Sequence, residues 1–122
     1  MTSPSKRKGS GFELEVVKLF QEFGLAAEKV PLSGALGGKY TADVTVPLWG
    51  RDKRIECKRR RAGFKTIYGW LADNFALVMR DDKCPALAVV RLEDLARLMQ
   101  VAEESRTQQL IQVLFPKDGE GK

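Results

Sequence analysis

Residues 41–58 read TADVTVPLWGRDKRIECK, and this stretch decides the fold. Two runs of alternating polar and apolar side chains flank the loop 48–51, a pattern that predicts a β-hairpin. Successive side chains in a strand point to opposite faces. Asp43 therefore shares a polar face with Thr41 and Thr45, whereas Val44 and Val46 point the other way.

The hairpin register brings acidic side chains together. If Pro47 pairs with Asp52, Asp43 lies directly across from Glu56, with Cβ atoms about 4.5–5.5 Å apart. Two like charges so placed repel each other, and Lys58 shares the face of Glu56. We therefore predict that a cation neutralises the pair.

The donor set of this hairpin suits magnesium, which takes oxygen ligands and needs only one or two carboxylates plus substrate phosphate. Such a cation would lower the pKa of a bound water and stabilise the leaving oxygen. Lys58 would orient the nucleophile or neutralise the phosphorane. Taken separately, Asp43 and Glu56 fit ordinary polar positions at a sheet surface. Taken together with Lys58, they predict a metal site for phosphodiester cleavage.

A third carboxylate, Glu13, lies on the apolar stripe of the first predicted helix. At 100° per residue it falls within about 40° of Val17 and about 20° of Phe20. The segment Ser10–Glu13 also fits a capping box, in which Glu13 returns a hydrogen bond to the Ser10 backbone. The pattern favours capping and an active-site role equally.

Length and composition predict one soluble domain. The chain has 122 residues, of which 43% are hydrophobic and 30% charged, as in ordinary globular proteins. It contains no apolar run of membrane-spanning length, and residues 1–11 lack the apolar segment of a signal peptide. A cytoplasmic location is therefore expected. Cys57 and Cys84, without any histidine, predict neither a disulfide framework nor a zinc site.

Positive charge is concentrated in two segments of a chain whose net charge is +5. The N-terminal segment carries Lys6, Arg7 and Lys8; the second, 53–65, carries Lys53, Arg54, Lys58, Arg59, Arg60, Arg61 and Lys65. Clustered cations favour a polyanion, because neutralised phosphates release condensed counterions. The alternative is a solvated, solubilising surface.

Periodicity predicts the order of the elements. We expect a flexible basic arm (1–9), a helix from Ser10 to Gly24, a strand (26–32), a glycine-rich loop (33–39), the hairpin, a short helix near 67–74, two strands (75–79 and 86–90), a helix from Leu92, and a tail (116–122). Ser105 and Gln108 suggest a capping box that starts a further turn to Leu114. This order predicts an α/β or α+β sandwich with one mostly mixed sheet covered by helices.

Four sequence motifs together resemble the archaeal-type Holliday junction resolvases of the PD-(D/E)xK nuclease superfamily. They are RKGSGFELEVVKLFQEFGL (7–25), Ser33-Gly34, ADV (42–44) and IECK (55–58). The resemblance covers about the first half of the chain, and residues 64–71 look more like phage or bacterial versions.

The resemblance implies a restriction-endonuclease-like fold, a mixed β-sheet flanked by helices, and a magnesium- or manganese-dependent endonuclease. Its homodimer would cut opposed strands of a four-way DNA junction. The implied catalytic residues are Glu13, Asp43, Glu56, Lys58 and Ser33. Asp43, Glu56, Glu13 and the backbone carbonyl of Cys57 are the implied metal ligands.

The predicted phosphate contacts are Lys6, Arg7, Lys8, Lys39, Arg59, Arg60, Arg61 and Lys65. Trp70, Leu71 and Phe75 could form a dimer interface or belong to the core. Two alternative functions stay open: another nuclease of this superfamily acting on duplex or flap DNA, and a non-catalytic DNA-binding module.

Overall fold

The computed structural model describes residues 4–31 and 43–117, with side chains described from Gly11 onward. In chain order the elements are helix α1 (Pro4–Glu22), strands β1 (Glu28–Lys29), β2 (Val44–Leu48) and β3 (Arg51–Ile55), helix α2 (Lys65–Leu71), strands β4 (Ala76–Met79) and β5 (Leu87–Val90), and helix α3 (Leu92–Leu114). Within these ranges no helix combines the length and the apolar character that crossing a bilayer requires.

The described strands form two antiparallel sheets. One has the order β1-β2-β3 and the other pairs β4 with β5. Helices α1 and α3 both pack against β2, and α2 packs against β4. The predicted α/β, restriction-endonuclease-like fold is confirmed. The described strands form two sheets in which every pair is antiparallel, where one mostly mixed sheet was expected.

The core lies where α1 and α3 cover one face of β2. Val44 and Val46 are fully buried on that face, as the alternation predicted. They belong to one apolar cluster with Val16, Val17, Phe20, Leu25, Ala27, Leu48, Ala96 and Met99. Burying each large aliphatic or aromatic side chain contributes about 1.5–3 kcal/mol. This cluster therefore fixes α1 and the hairpin relative to each other.

The hairpin has the predicted register, in which Pro47 pairs with Asp52. Trp49 and Gly50 form the turn with φ angles of 56° and 78°, which is the type I′ geometry that matches strand twist. The Trp49 N–H donates to the Glu103 carboxylate, and the Arg106 guanidinium covers Gly50. Helix α3 therefore contacts the turn as well as the strands.

Two predicted helix boundaries are wrong. Helix α1 begins at Pro4 rather than Ser10, so the backbone of residues 4–9, expected to be a flexible arm, is helical. Proline suits the first helical position, because its missing N–H has no partner there. Helix α3 runs without a break through Ser105. Neither serine is an N-cap, and the capping interpretation of Glu13 therefore fails.

Candidate active site

Asp43 lies just before β2, where the ladder is irregular. Its N–H donates to the Ile55 carbonyl at 3.1 Å, although Ile55 is already the ladder partner of Val44. Asp43 and Val44 thus both face Ile55. This arrangement is a β-bulge, which changes the direction in which side chains point. Asp43 Oδ2 accepts a hydrogen bond of 2.8 Å from the Cys57 N–H. Because of the bulge, Asp43 does not lie directly across from Glu56, the position that the register had predicted. Its carboxylate reaches the Cys57 N–H beyond the end of β3.

Glu56 lies between the two residues that Asp43 contacts. Its pKa is raised, first by a hydrogen bond shared with the Asp43 carboxylate and second by the negative charge of Asp43. The positive charge of Lys58 opposes this rise. The hairpin therefore brings Asp43 and Glu56 close enough for the charge of Asp43 to act on Glu56.

Glu13 approaches the same pair from α1. Its side chain is only 16% exposed, and its Oε2 lies 3.7 Å from Lys29 Nζ on β1. Burial raises the pKa of Glu13, the charge of Asp43 raises it further, and Lys29 opposes the rise. Three carboxylates from three segments thus influence one another, which is the crowding that a cation relieves.

Cys57 lies on the other side of the strand and packs against the core cluster. Burial raises the pKa of its thiol to about 11, and the charges of Asp43, Glu13 and Glu56 add to that rise. A thiol with so high a pKa stays protonated at neutral pH and is a poor nucleophile. The hydrogen bond between Cys57 and Asp43 comes from the backbone N–H of Cys57.

The donor chemistry fits a hard cation held by two carboxylates. In residues 4–31 and 43–117, no three His, Cys, Asp or Glu side chains are placed to hold one metal ion together. Magnesium does not need three, because it binds through one or two carboxylates and keeps its waters. Asp43 and Glu56 are the pair that fits. Glu13, already beside Lys29, is left for an outer role.

A basic cleft begins at Lys58. It measures about 680 Å³ and lies between α1 and residues 58–68; its lining includes the cations Lys58, Arg59, Arg60, Arg61 and Lys65 and the aromatic side chains Phe12, Phe64 and Tyr68. The structure thus gathers the cations of the second predicted basic segment, from Lys58 onward, around this cleft. These cations line one cleft together with Glu15, and the charge of Lys58 also acts on Glu56.

The side chains of the remaining predicted site residues lie outside the described part of the structure. Ser33 and Lys39 fall in the range 32–42, which the structure does not describe. Lys6, Arg7 and Lys8 fall in the first turns of α1, whose side chains are not described. Their roles remain predictions.

Sequence reasoning missed Lys29 and the aromatic lining of the cleft. Lys29 was missed because its partner Glu13 lies in another element, and no spacing in the sequence links the two residues. The signal for Phe64 and Tyr68 was their spacing of four residues beside a basic run, since residues four apart share a helix face.

An acidic residue before one strand, followed by Glu-x-Lys after the next, is the arrangement that names the PD-(D/E)xK class of nucleases. The family model described as "Phage putative PDDEXK endonuclease" matches residues 4–112, most of the chain. The protein belongs to this endonuclease family. Neither the curated proteins nor the solved structures compared with the chain gave a match.

Proposed function

We propose that the protein is a magnesium-dependent endodeoxyribonuclease that hydrolyses branched DNA, with four-way junctions as its preferred substrate. The observation that carries the proposal is the hydrogen bond of 2.8 Å from the Cys57 N–H to the Asp43 carboxylate, which holds Asp43 next to the Glu-x-Lys segment. Lys58 of that segment also lines a cleft rich in cations. Manganese, which accepts the same oxygen donors, is the expected substitute.

The proposed role of each residue follows from its position in the site. Asp43 and Glu56 would hold the cation, which when bound supplies a Lewis acid for the phosphate and a lowered pKa for its water. The backbone carbonyl of Cys57 is a further candidate ligand by resemblance. Lys58 neutralises charge that develops on the phosphoryl oxygens. Glu13, oriented by Lys29, accepts a hydrogen bond from the attacking water.

Cations of the cleft hold the phosphates that flank the scissile one. Arginine binds phosphate through a planar fork of donors, and Arg59, Arg60 and Arg61 follow Lys58 directly in the chain. Such contacts fix the register of the strand without reading its sequence. They favour recognition by DNA shape.

The preference for branched DNA is tested by cleavage of matched substrates. Synthetic four-way, flap and linear duplexes of one sequence are incubated with magnesium and either the parent chain, Asp43→Asn or Glu56→Gln. We expect the junction to be cut fastest and both variants to lose more than about 100-fold in rate, beyond the effect of an outer-sphere change. Equal cutting of linear duplex would favour the general nuclease. Binding without cutting by the parent would favour the non-catalytic module.

We further propose that the protein acts as a homodimer, since one active site cannot cut two opposed strands symmetrically. The β4–β5 hairpin supports this. Val78 and Leu87 are 68% and 63% exposed, and the register places them on opposite faces. A two-stranded sheet is marginally stable on its own. The predicted interface residue Leu71 is buried, whereas Trp70 and Phe75 are exposed.

Light scattering after size exclusion tests the dimer. Val78→Glu should convert it to a monomer, because a buried unpaired charge is strongly unfavourable at an interface. Val113→Glu, at an equally exposed position of α3, serves as the matched control and should leave the mass unchanged. A parent chain that is monomeric at all concentrations would refute the dimer.

A further inference from the structure

The basic cleft carries aromatic side chains that phosphate binding does not require. Phe12 of α1, Phe64 just before α2 and Tyr68 within α2 all line it. Tyr68 is 74% exposed, and its neighbour Phe64 lies under the Arg60 guanidinium at 5.5 Å. Contact between an apolar ring and water is unfavourable. An exposed ring in a cleft therefore suggests a binding partner that covers it.

We infer that this cleft binds an unpaired DNA strand and that the Tyr68 ring stacks on one of its bases. The inference rests on the proposed function and adds that the branched DNA is bound with nucleotides unpaired at the branch. Sites for single-stranded nucleic acid combine a positively charged groove with exposed aromatic rings, because each base has a face that stacks. The cleft has both features.

Duplex DNA fits the aromatic lining less well. In a duplex the base faces are stacked on one another, so that a protein reaches only phosphates and base edges. Rings that line a cleft can therefore contact base faces only where a strand has separated. Phe12, Phe64 and Tyr68 would therefore contribute little to duplex binding, whereas Arg59, Arg61 and Lys65 would contribute to both.

The position of the cleft connects this strand to the cleavage site. Lys58 lines the cleft and its charge also acts on Glu56. A strand that lies in the cleft thus leads directly to the carboxylates. Unpaired nucleotides held at Tyr68 would place the phosphate at the edge of the paired region beside Lys58.

The test is fluorescence anisotropy in EDTA, where binding is measured without cleavage. The probes are a labelled oligothymidylate of about 12 nucleotides, within the range of known single-strand site sizes, and a labelled linear duplex. Tyr68→Ala should weaken binding of the oligothymidylate by roughly 5- to 150-fold, the range that corresponds to loss of one stacked base. Duplex binding should change by less than about twofold, since it uses cations instead.

Two control variants separate stacking from other effects. Tyr68→Phe keeps the ring and should bind like the parent, whereas Trp49→Ala removes an equally exposed ring at the hairpin turn and should have no effect. Because Tyr68 is exposed, Tyr68→Ala should melt at the parent temperature. Unchanged binding of the oligothymidylate by Tyr68→Ala, or an equal loss for the duplex, would overturn the inference.

Together with the cleavage assay of the proposed function, these binding measurements distinguish the two proposals. A chain that binds single strands through Tyr68 but cuts no DNA with magnesium keeps this inference and removes the proposed nuclease activity. A chain that cuts branched DNA but binds single strands independently of Tyr68 does the reverse.

Discussion

Asp43 is the central side chain of the candidate site, because it interacts with Cys57, Glu13 and Glu56. It accepts a hydrogen bond from the Cys57 N–H and raises the pKa of both Glu13 and Glu56. Alternation along the strand predicted its face, and the Glu-x-Lys spacing predicted its partners. The bulge at Asp43 was not predictable, because it depends on the contacts of the chain on both sides of the strand.

Magnesium should stabilise the folded protein through this residue, because it binds the folded state preferentially. At a concentration about 100 times the Kd the gain is about 2.7 kcal/mol, or roughly 10 °C in Tm for a domain of this size. Asp43→Asn should lose most of that rise. Thermal melts with and without magnesium measure it, and an equal rise in the variant would contradict the assignment.

Without metal, the stability of the site should depend on pH. Folding raises the pKa of Glu13 and Glu56 from the ordinary 4.5, so the folded state binds protons more tightly than the unfolded state. The resulting stability is present below 4.5 and is lost as pH rises through the raised values.

Asp43→Asn removes one repelling charge and keeps an oxygen that can accept from Cys57. In EDTA we therefore expect the variant to be more stable than the parent near neutral pH, with the difference shrinking on acidification. Melts across the acidic range test this. A stability difference that does not change with pH would show that the carboxylates do not interact.

At the level of elements, the strands were easier to predict than the helix ends. The pairing of Pro47 with Asp52 followed from alternation, since a shift by one residue would expose Val44 and Val46. The start of α1 at Pro4 did not follow, because Gly9 suggested a break. A glycine inside a helix costs only about 0.5–1 kcal/mol, which packing of α1 on β2 outweighs.

The turn that sets this register should be sensitive to Gly50. Its φ angle is +78°, and an added Cβ would lie 3.0 Å from Arg106 Nη2. Gly50→Ala should therefore destabilise the protein by about 1–2 kcal/mol, the cost of a left-handed conformation for an L-residue. Denaturant unfolding measures the change.

Gly69→Ala is the matched control for that substitution. Gly69 lies inside α2, and an added Cβ there meets no atom within 4 Å. We expect it to stabilise the protein by about 0.5–1 kcal/mol, because alanine loses less entropy in a helix. If both variants changed stability in the same direction, the turn geometry would not be the cause.

For the whole molecule, the strongest prediction concerns the attraction of DNA by positive charge. The net charge of +5 gives a general attraction for DNA, and the cleft concentrates cations beside the carboxylates. The sequence predicted this cluster but not its concave shape, because the cleft forms only when α1 packs beside residues 58–68. Such a local concentration of positive charge also offsets the repulsion between the three carboxylates and the DNA phosphates.

Salt dependence of DNA binding measures how many phosphates the cleft contacts. Each contact that releases a counterion contributes about 0.9 to the slope of log K against log salt on duplex DNA. Arg59→Ala and Arg61→Ala should each lower that slope by about one and weaken binding of all sequences alike. Arg97→Ala, on α3 and paired with Glu93 and Asp94, should leave the slope unchanged. Equal slopes for all three variants would place the DNA on another surface, whereas a loss confined to Arg59 and Arg61 locates the phosphates in the cleft.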